Sequence, residues 1–166
     1  MSGYYTYLIS SLPMLHFGRK PPFSMEKFLS MCEGLISPDD FETLKGALRN
    51  FGVGRYRDFE TALRNELVKI RAHRKHLNVS KFLRSDEYAD QWTSHIAAGA
   101  CRNPSVMGAE KILDLERWRF LDGLLVGHYF DIEVLMVYAH KLSILEKWED
   151  VKTASADKLL EEVLTA

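Results

Sequence analysis

The sequence has few cysteines and no long apolar run, and each of these features excludes some classes of protein. The two cysteines, Cys32 and Cys101, match no metal-binding or redox spacing among the 166 residues. We therefore expect both to act as small buried hydrophobic side chains in a reducing compartment. No apolar run has the length needed to cross a bilayer, and residues 1–13 lack the basic start and cleavage site of a secretory signal. These absences predict a soluble, cytoplasmic protein.

An excess of either charge is also missing, since 22 basic residues face 23 acidic ones and the net charge is −1. The charges are nevertheless unevenly distributed along the chain. Residues 55–84 carry nine basic side chains against three acidic ones, whereas residues 110–150 carry nine acids against five bases. A basic central segment next to an acidic C-terminal half indicates either internal pairing or a charged partner.

The spacing of apolar residues is helical along most of the chain, and no segment alternates in the manner of a strand. Ser24 and Ser37 are capping residues, and Pro38 fits the first turn of a helix. Helices are expected over residues 24–32, 37–51, 56–77, 86–100, 107–124, 131–151 and 157–164, and 4–12 is either a first helix or an extended arm. The prediction is an all-α, multi-helix bundle of six or seven helices in one domain, 1–166, with a candidate division into two lobes near 103–104.

Ionisable side chains lie among aromatic and aliphatic ones in the segment 118–148. Asp131 precedes the periodic run, so we expect its carboxylate to cap the following helix. Lys141 falls on the apolar side of that helix, where its ammonium must either reach outward or meet an acid, with Asp122 as the candidate partner. The residues expected to be structural are Trp118, Asp122, Asp131, Tyr138, Lys141 and Trp148.

No motif in the sequence predicts catalysis, a cofactor or a metal. Glycine-rich phosphate loops and the G-x-S-x-G nucleophile motif are absent. The candidate partner interface consists of Arg64, Arg71, Arg74 and Lys75, with His128 and Tyr129 expected to be exposed at a helix junction. Two alternatives stay open: a small helical enzyme or metal-binding protein that uses His128, His140 or the acidic cluster at 86–95, and a nucleic-acid-binding domain built on residues 55–84.

Three segments resemble an uncharacterised bacterial family encoded beside V-type ATPase genes. They are FETALRNELVKIRAHR at 59–74, ERWRFLDGLLVGHYFDIEVLMVYAHKLSILEKW at 116–148, and the Tyr-rich start YYTYLISSLPML at 4–15. That family is remotely similar to the C subunit of V-type ATPases, called d in eukaryotes. The resemblance implies a helical, non-catalytic component that links the central rotor shaft to the membrane ring, and hence a position peripheral to the membrane through protein contacts.

Overall fold

The computed structural model describes residues 4–49, 54–84 and 90–164, and the prediction of an all-α fold is confirmed in these residues. They form seven α-helices and one short 3-10 helix at Val79–Lys81, with no strand. The helices are α1 Thr6–Ser11, α2 Met25–Cys32, α3 Pro38–Arg49, α4 Arg55–Arg74, α5 Gln91–Arg102, α6 Val106–Leu124 and α7 Ile132–Leu164. None of them combines the length and the apolar composition that crossing a bilayer requires.

The chain separates into two compact units. Unit 1 consists of Met1–Leu48 and Leu124–Ala166, and unit 2 consists of Arg49–Gly123. Unit 1 is therefore built from both ends of the chain, and unit 2 is a single central segment. The pair Asn103-Pro104, the candidate division in the sequence, lies inside unit 2, where it forms the turn between α5 and α6.

The core of unit 1 contains side chains from α2, α3 and α7. Phe28, Leu44 and Leu142 are completely buried, and the ring of Phe28 stacks on that of Tyr138 with centroids 5.2 Å apart. The N-terminal segment joins this core because Tyr5 is buried and its backbone N–H donates to the Phe130 carbonyl at 2.6 Å. The segment left undecided by the sequence is thus a short helix, α1, preceded by an anchored tyrosine.

The predicted capping residues act as expected at the starts of α2 and α3. Ser24 Oγ accepts a hydrogen bond from the Lys27 N–H at 3.2 Å, and Ser37 Oγ accepts one from the Asp40 N–H at 3.2 Å. Gly34, with a φ of +81°, follows the end of α2 in the left-handed conformation that glycine favours. Burial raises the pKa of the Cys32 thiol to about 12, as expected for a cysteine of the core.

The helix α7 is longer than predicted. The sequence pattern favoured separate helices at 131–151 and 157–164, but the backbone is helical without interruption from Ile132 to Leu164. Residues 152–156 contain neither glycine nor proline, so nothing in the intervening backbone stops the helix. The weakening of the apolar periodicity in this segment did not end the helix.

Unit 2 is held together by aromatic side chains from α4, α5 and α6. The rings of Phe59 and Phe120 stack at 4.2 Å, and Trp92 contacts both, at 5.5 and 5.9 Å. The helix α5 starts at Gln91, capped by Asp90, whose Oδ1 accepts from the Thr93 N–H at 2.6 Å. The start that the sequence predicted, at residue 86, lies outside the described residues.

Candidate binding groove and histidine cluster

Three arginines of α4 repeat every seven residues and form a row along one face of the helix. They are Arg57, Arg64 and Arg71, and all three line a groove of about 640 Å³ on unit 2, which we call the arginine groove. Because an α-helix rises about 1.5 Å per residue, successive arginines of the row start about 10 Å apart along the axis. The groove's volume falls in the usual range of about 300–1,000 Å³ for ligand sites.

Further charged residues come from the segment after the 3-10 helix and from α6. Arg84 and Arg117 raise the number of arginines in the groove to five, and the acidic residues of its lining are Glu60 and Glu110. The lining therefore has an excess of positive charge, although the chain as a whole is slightly negative. Four of the five arginines come from the basic segment 55–84 of the sequence.

Arg117 is neutralised within unit 2 and does not add to this excess. Its Nε lies 2.7 Å from Glu60 Oε1, its Nη2 lies 3.3 Å from Glu60 Oε2, and its Nη1 lies 2.8 Å from Asp114 Oδ1. Burial disfavours the charged guanidinium, but the charges and hydrogen bonds of Glu60 and then Asp114 outweigh it and raise the Arg117 pKa. Arg117 is thus the centre of a partly buried ion-pair network that joins α4 to α6.

Asn65 fixes the position of Arg84 in the groove. Its side chain is buried, and its Oδ1 accepts a hydrogen bond from the Arg84 N–H at 3.0 Å, while its Nδ2 donates to the Arg84 carbonyl. Beside it, Arg64 Nη1 donates to the Phe82 carbonyl at 3.1 Å. Two residues of α4 therefore hold the following segment against the helix by its backbone. Sequence reasoning missed Arg57, Asn65 and Arg84, since only their long-range contacts distinguish them from other polar residues.

The structure divides the four basic residues that the sequence predicted as an interface. Arg64 and Arg71 line the arginine groove, whereas Arg74 and Lys75 do not. The Arg74 guanidinium donates to the Cys101 carbonyl at 2.9 Å, near the end of α5. Lys75 is the exposed residue that follows α4.

His128 and Tyr129, the other predicted interface residues, lie in unit 1 between α6 and α7. Tyr129 is exposed over 74% of its surface, and the neighbouring Val126 over 82%. Gly127, with a φ of +88°, provides the turn between the two helices that the sequence predicted. The ring of His128 is half-buried and faces Asp131.

The expectation that Asp131 caps α7 was wrong. Its Oδ2 lies 2.6 Å from His128 Nδ1, and its Oδ1 is buried without a hydrogen-bond partner among the described residues. The carboxylate is therefore directed to the histidine ring and not to the first N–H groups of the helix. The raised pKa of His128 favours the charged imidazole, whose hydrogen bond to a carboxylate is stronger than that of a neutral amide N–H.

The donor atoms of His128, Asp131 and Glu133 lie within 4.8 Å of one another, a cluster that could hold a metal ion. Two ligands on one tetrahedral zinc, at about 2.0–2.1 Å each, are separated by about 3.3 Å. The 2.6 Å between His128 Nδ1 and Asp131 Oδ2 is shorter and matches a charge-assisted hydrogen bond. The distance between His128 and Asp131 therefore fits a hydrogen bond better than joint coordination of a metal ion.

This pair predicts a measurable pKa. The hydrogen bond to Asp131 is the main cause that raises the His128 pKa above its ordinary 6.5; desolvation opposes it, and the charges of Asp131 and Glu133 add to it. We expect the imidazole of His128 to titrate above 6.5 by NMR, and Asp131→Asn to return it toward that value. Because the folded pKa is the higher one, the pair stabilises the fold fully below pH 6.5, and the stabilisation is lost as the pH rises through the folded pKa. An unchanged titration in Asp131→Asn contradicts the pairing.

Of the residues predicted to be structural, Trp118 and Lys141 are buried, Tyr138 and Trp148 are half-buried, and Asp122 is exposed. Tyr138 donates its hydroxyl to the Pro13 carbonyl at 3.0 Å, and burial raises its pKa to about 12. The pairing of Lys141 with Asp122 stays a prediction. Because Asp122 is exposed, its replacement is expected to reduce the free energy of unfolding less than the loss of a buried partner would.

Comparison with known proteins gives one match of limited extent. Residues 98–166 match the model of a family described as a protein of unknown function, DUF2764. The matched residues make up less than half of the chain and include α6 and α7. No curated protein and no solved structure matches the chain.

Proposed function

We propose that the protein is a non-catalytic adaptor that acts by binding partner proteins, and that its assembly is a V-type ATPase. As the resemblance described above implies, it links the central shaft to the membrane ring and is held at the membrane through protein contacts. The observation that supports this most directly is the arginine groove, in which a row of arginines on one rigid helix faces outward from a helical scaffold.

An adaptor is favoured by the way in which the ionisable groups of the described residues pair with one another. Arg117, Glu60 and Asp114 satisfy one another, and His128 pairs with Asp131. The arginines of the row have no carboxylate within ion-pairing distance in the part of the chain that the structure describes. Ionisable groups that satisfy one another serve architecture, whereas a row of arginines without such partners is suited to contact with an acidic surface.

The proposal is tested by co-purification from native membranes of the organism that encodes the protein. A tagged chain is expected to recover the A, B and D subunits of the rotary ATPase, identified by mass spectrometry. The variant Arg64→Glu with Arg71→Glu is expected to lose most of this recovery, whereas the control Arg19→Glu, a single charge reversal at an exposed position in unit 1, retains it. Recovery of the wild type without any ATPase subunit rejects the proposed assembly.

A metal-binding protein is the alternative for which a specific observation exists, namely the His128–Asp131–Glu133 cluster. Elemental analysis of the purified protein separates the two functions. Stoichiometric zinc, iron or manganese, lost on His128→Ala, favours the metal-binding function. We expect no stoichiometric metal, because the 2.6 Å contact between His128 and Asp131 is a hydrogen bond.

A further inference from the structure

The three arginines of the row are evenly spaced, and this spacing limits which ligands the groove can bind. Arg57, Arg64 and Arg71 are each separated by seven residues, or about 10 Å along the axis of α4. A second helix that coils around α4 meets it in register every seven residues, since helices in a coiled coil have a repeat of about 3.5 residues per turn. Acidic side chains at that spacing on a partner helix therefore reach successive arginines of the row.

The charges of the groove select an acidic ligand. Arg117 is already neutralised by Glu60 and Asp114, so the positive charge available to a ligand comes from the row and from Arg84. Within the described residues none of these four forms an ion pair with a carboxylate, and Glu110 is the other acidic residue of the lining. Each guanidinium can bind a carboxylate through two parallel hydrogen bonds.

The same groove has an apolar part that favours a protein ligand over a phosphate or a nucleic acid. Leu67 and Leu113 are buried in its lining, and Val68 is half-buried beside them. Leu67 and Val68 lie between the levels of Arg64 and Arg71 on α4 and offer contact to aliphatic groups. A nucleic-acid backbone presents nothing apolar to these side chains, whereas an amphipathic helix does.

We propose that the arginine groove binds an amphipathic acidic helix of the partner protein, with carboxylates seven residues apart and aliphatic side chains between them. This deepens the proposed function and rests on it, since it takes the ligand to be part of a partner protein. The carboxylates pair with Arg57, Arg64 and Arg71, and the aliphatic groups contact Leu67 and Val68. Arg84, whose backbone is held by Asn65, adds a fourth guanidinium to the lining that faces the same helix.

The test uses the full chain and two synthetic helical peptides of identical composition. In the first, three glutamates at seven-residue spacing share one face with leucines; in the second, the glutamates lie on the opposite face. Isothermal titration calorimetry is expected to show at least about tenfold tighter binding of the first peptide, with an affinity that falls as salt is added. Arg64→Glu with Arg71→Glu is expected to weaken it by about tenfold or more, and Arg19→Glu to leave it unchanged.

Folding of the variants is checked by circular dichroism, and Arg71→Glu alone serves as the variant least able to disturb the fold, since Arg71 is exposed. Equal binding of the two peptides overturns the inference, as does an unchanged affinity in Arg71→Glu and the double variant. A single-stranded oligonucleotide that binds more tightly than the first peptide also overturns it.

The outcomes also separate this inference from the proposed assembly. If ATPase subunits are recovered through Arg64 and Arg71 but neither peptide binds, the adaptor function stands and the acidic helix is rejected. If the first peptide binds through these arginines but no ATPase subunit is recovered, the acidic helix stands and the proposed assembly is rejected.

Discussion

Replacing Arg117 with alanine is expected to destabilise unit 2 by about 3–5 kcal/mol, because the change leaves two partly buried carboxylates without their cation. Asp114 is almost fully buried, and the Glu60 side chain is exposed over 16%. Both accept hydrogen bonds from the Arg117 guanidinium at 2.7–2.8 Å. The free energy of unfolding can be measured by chemical denaturation followed through tryptophan fluorescence, since Trp92 and Trp118 both lie in unit 2.

The matched control is Arg119→Ala, two residues along the same helix. Arg119 also pairs with an acid, Glu116, at 2.6 Å, but its side chain is exposed over 62%. An exposed pair of this kind contributes about 0.2–1 kcal/mol, so the control should change the stability little. Equal effects of the two substitutions would mean that the network around Arg117 is as well solvated as a surface pair.

The second large effect is expected at Phe28, whose replacement by alanine should destabilise unit 1 by about 3–5 kcal/mol. Phe28 is fully buried on α2, and its ring stacks on Tyr138 of α7. Truncation removes the Phe28 ring from the contact between the two helices and leaves a cavity that the surrounding side chains fill only in part. Thermal or chemical unfolding that includes the fluorescence of Trp148, in α7, measures the effect on this unit.

Leu35→Ala is the control for this prediction. Leu35 follows α2 in the same unit but is exposed over 52%, so its truncation should cost well under about 1 kcal/mol. A similar loss at both positions would argue against a packed core between α2 and α7.

Local chemistry was enough to predict most of the helices. The hydroxyls of Ser24 and Ser37 each accept a hydrogen bond from the N–H three residues later, so their capping role can be predicted without knowledge of the tertiary structure. The apolar stripe of α4 was visible for the same reason, since its period depends only on helical geometry. The error at Asp131 arose because two local contacts compete: its carboxylate pairs with His128, three residues away, in place of capping α7.

The sequence by itself determined that the protein is all-helical, where most of its helices lie, and that its basic residues concentrate in residues 55–84. These properties follow from propensity, capping and periodicity, which act over a few residues. Only the tertiary structure decided which arginines share a groove. Arg84 is held at the row of α4 by Asn65, which precedes it by 19 positions, and Arg117 is held there by Glu60, which precedes it by 57 positions. Contacts between such distant residues depend on how the helices pack, and no short stretch of sequence encodes them.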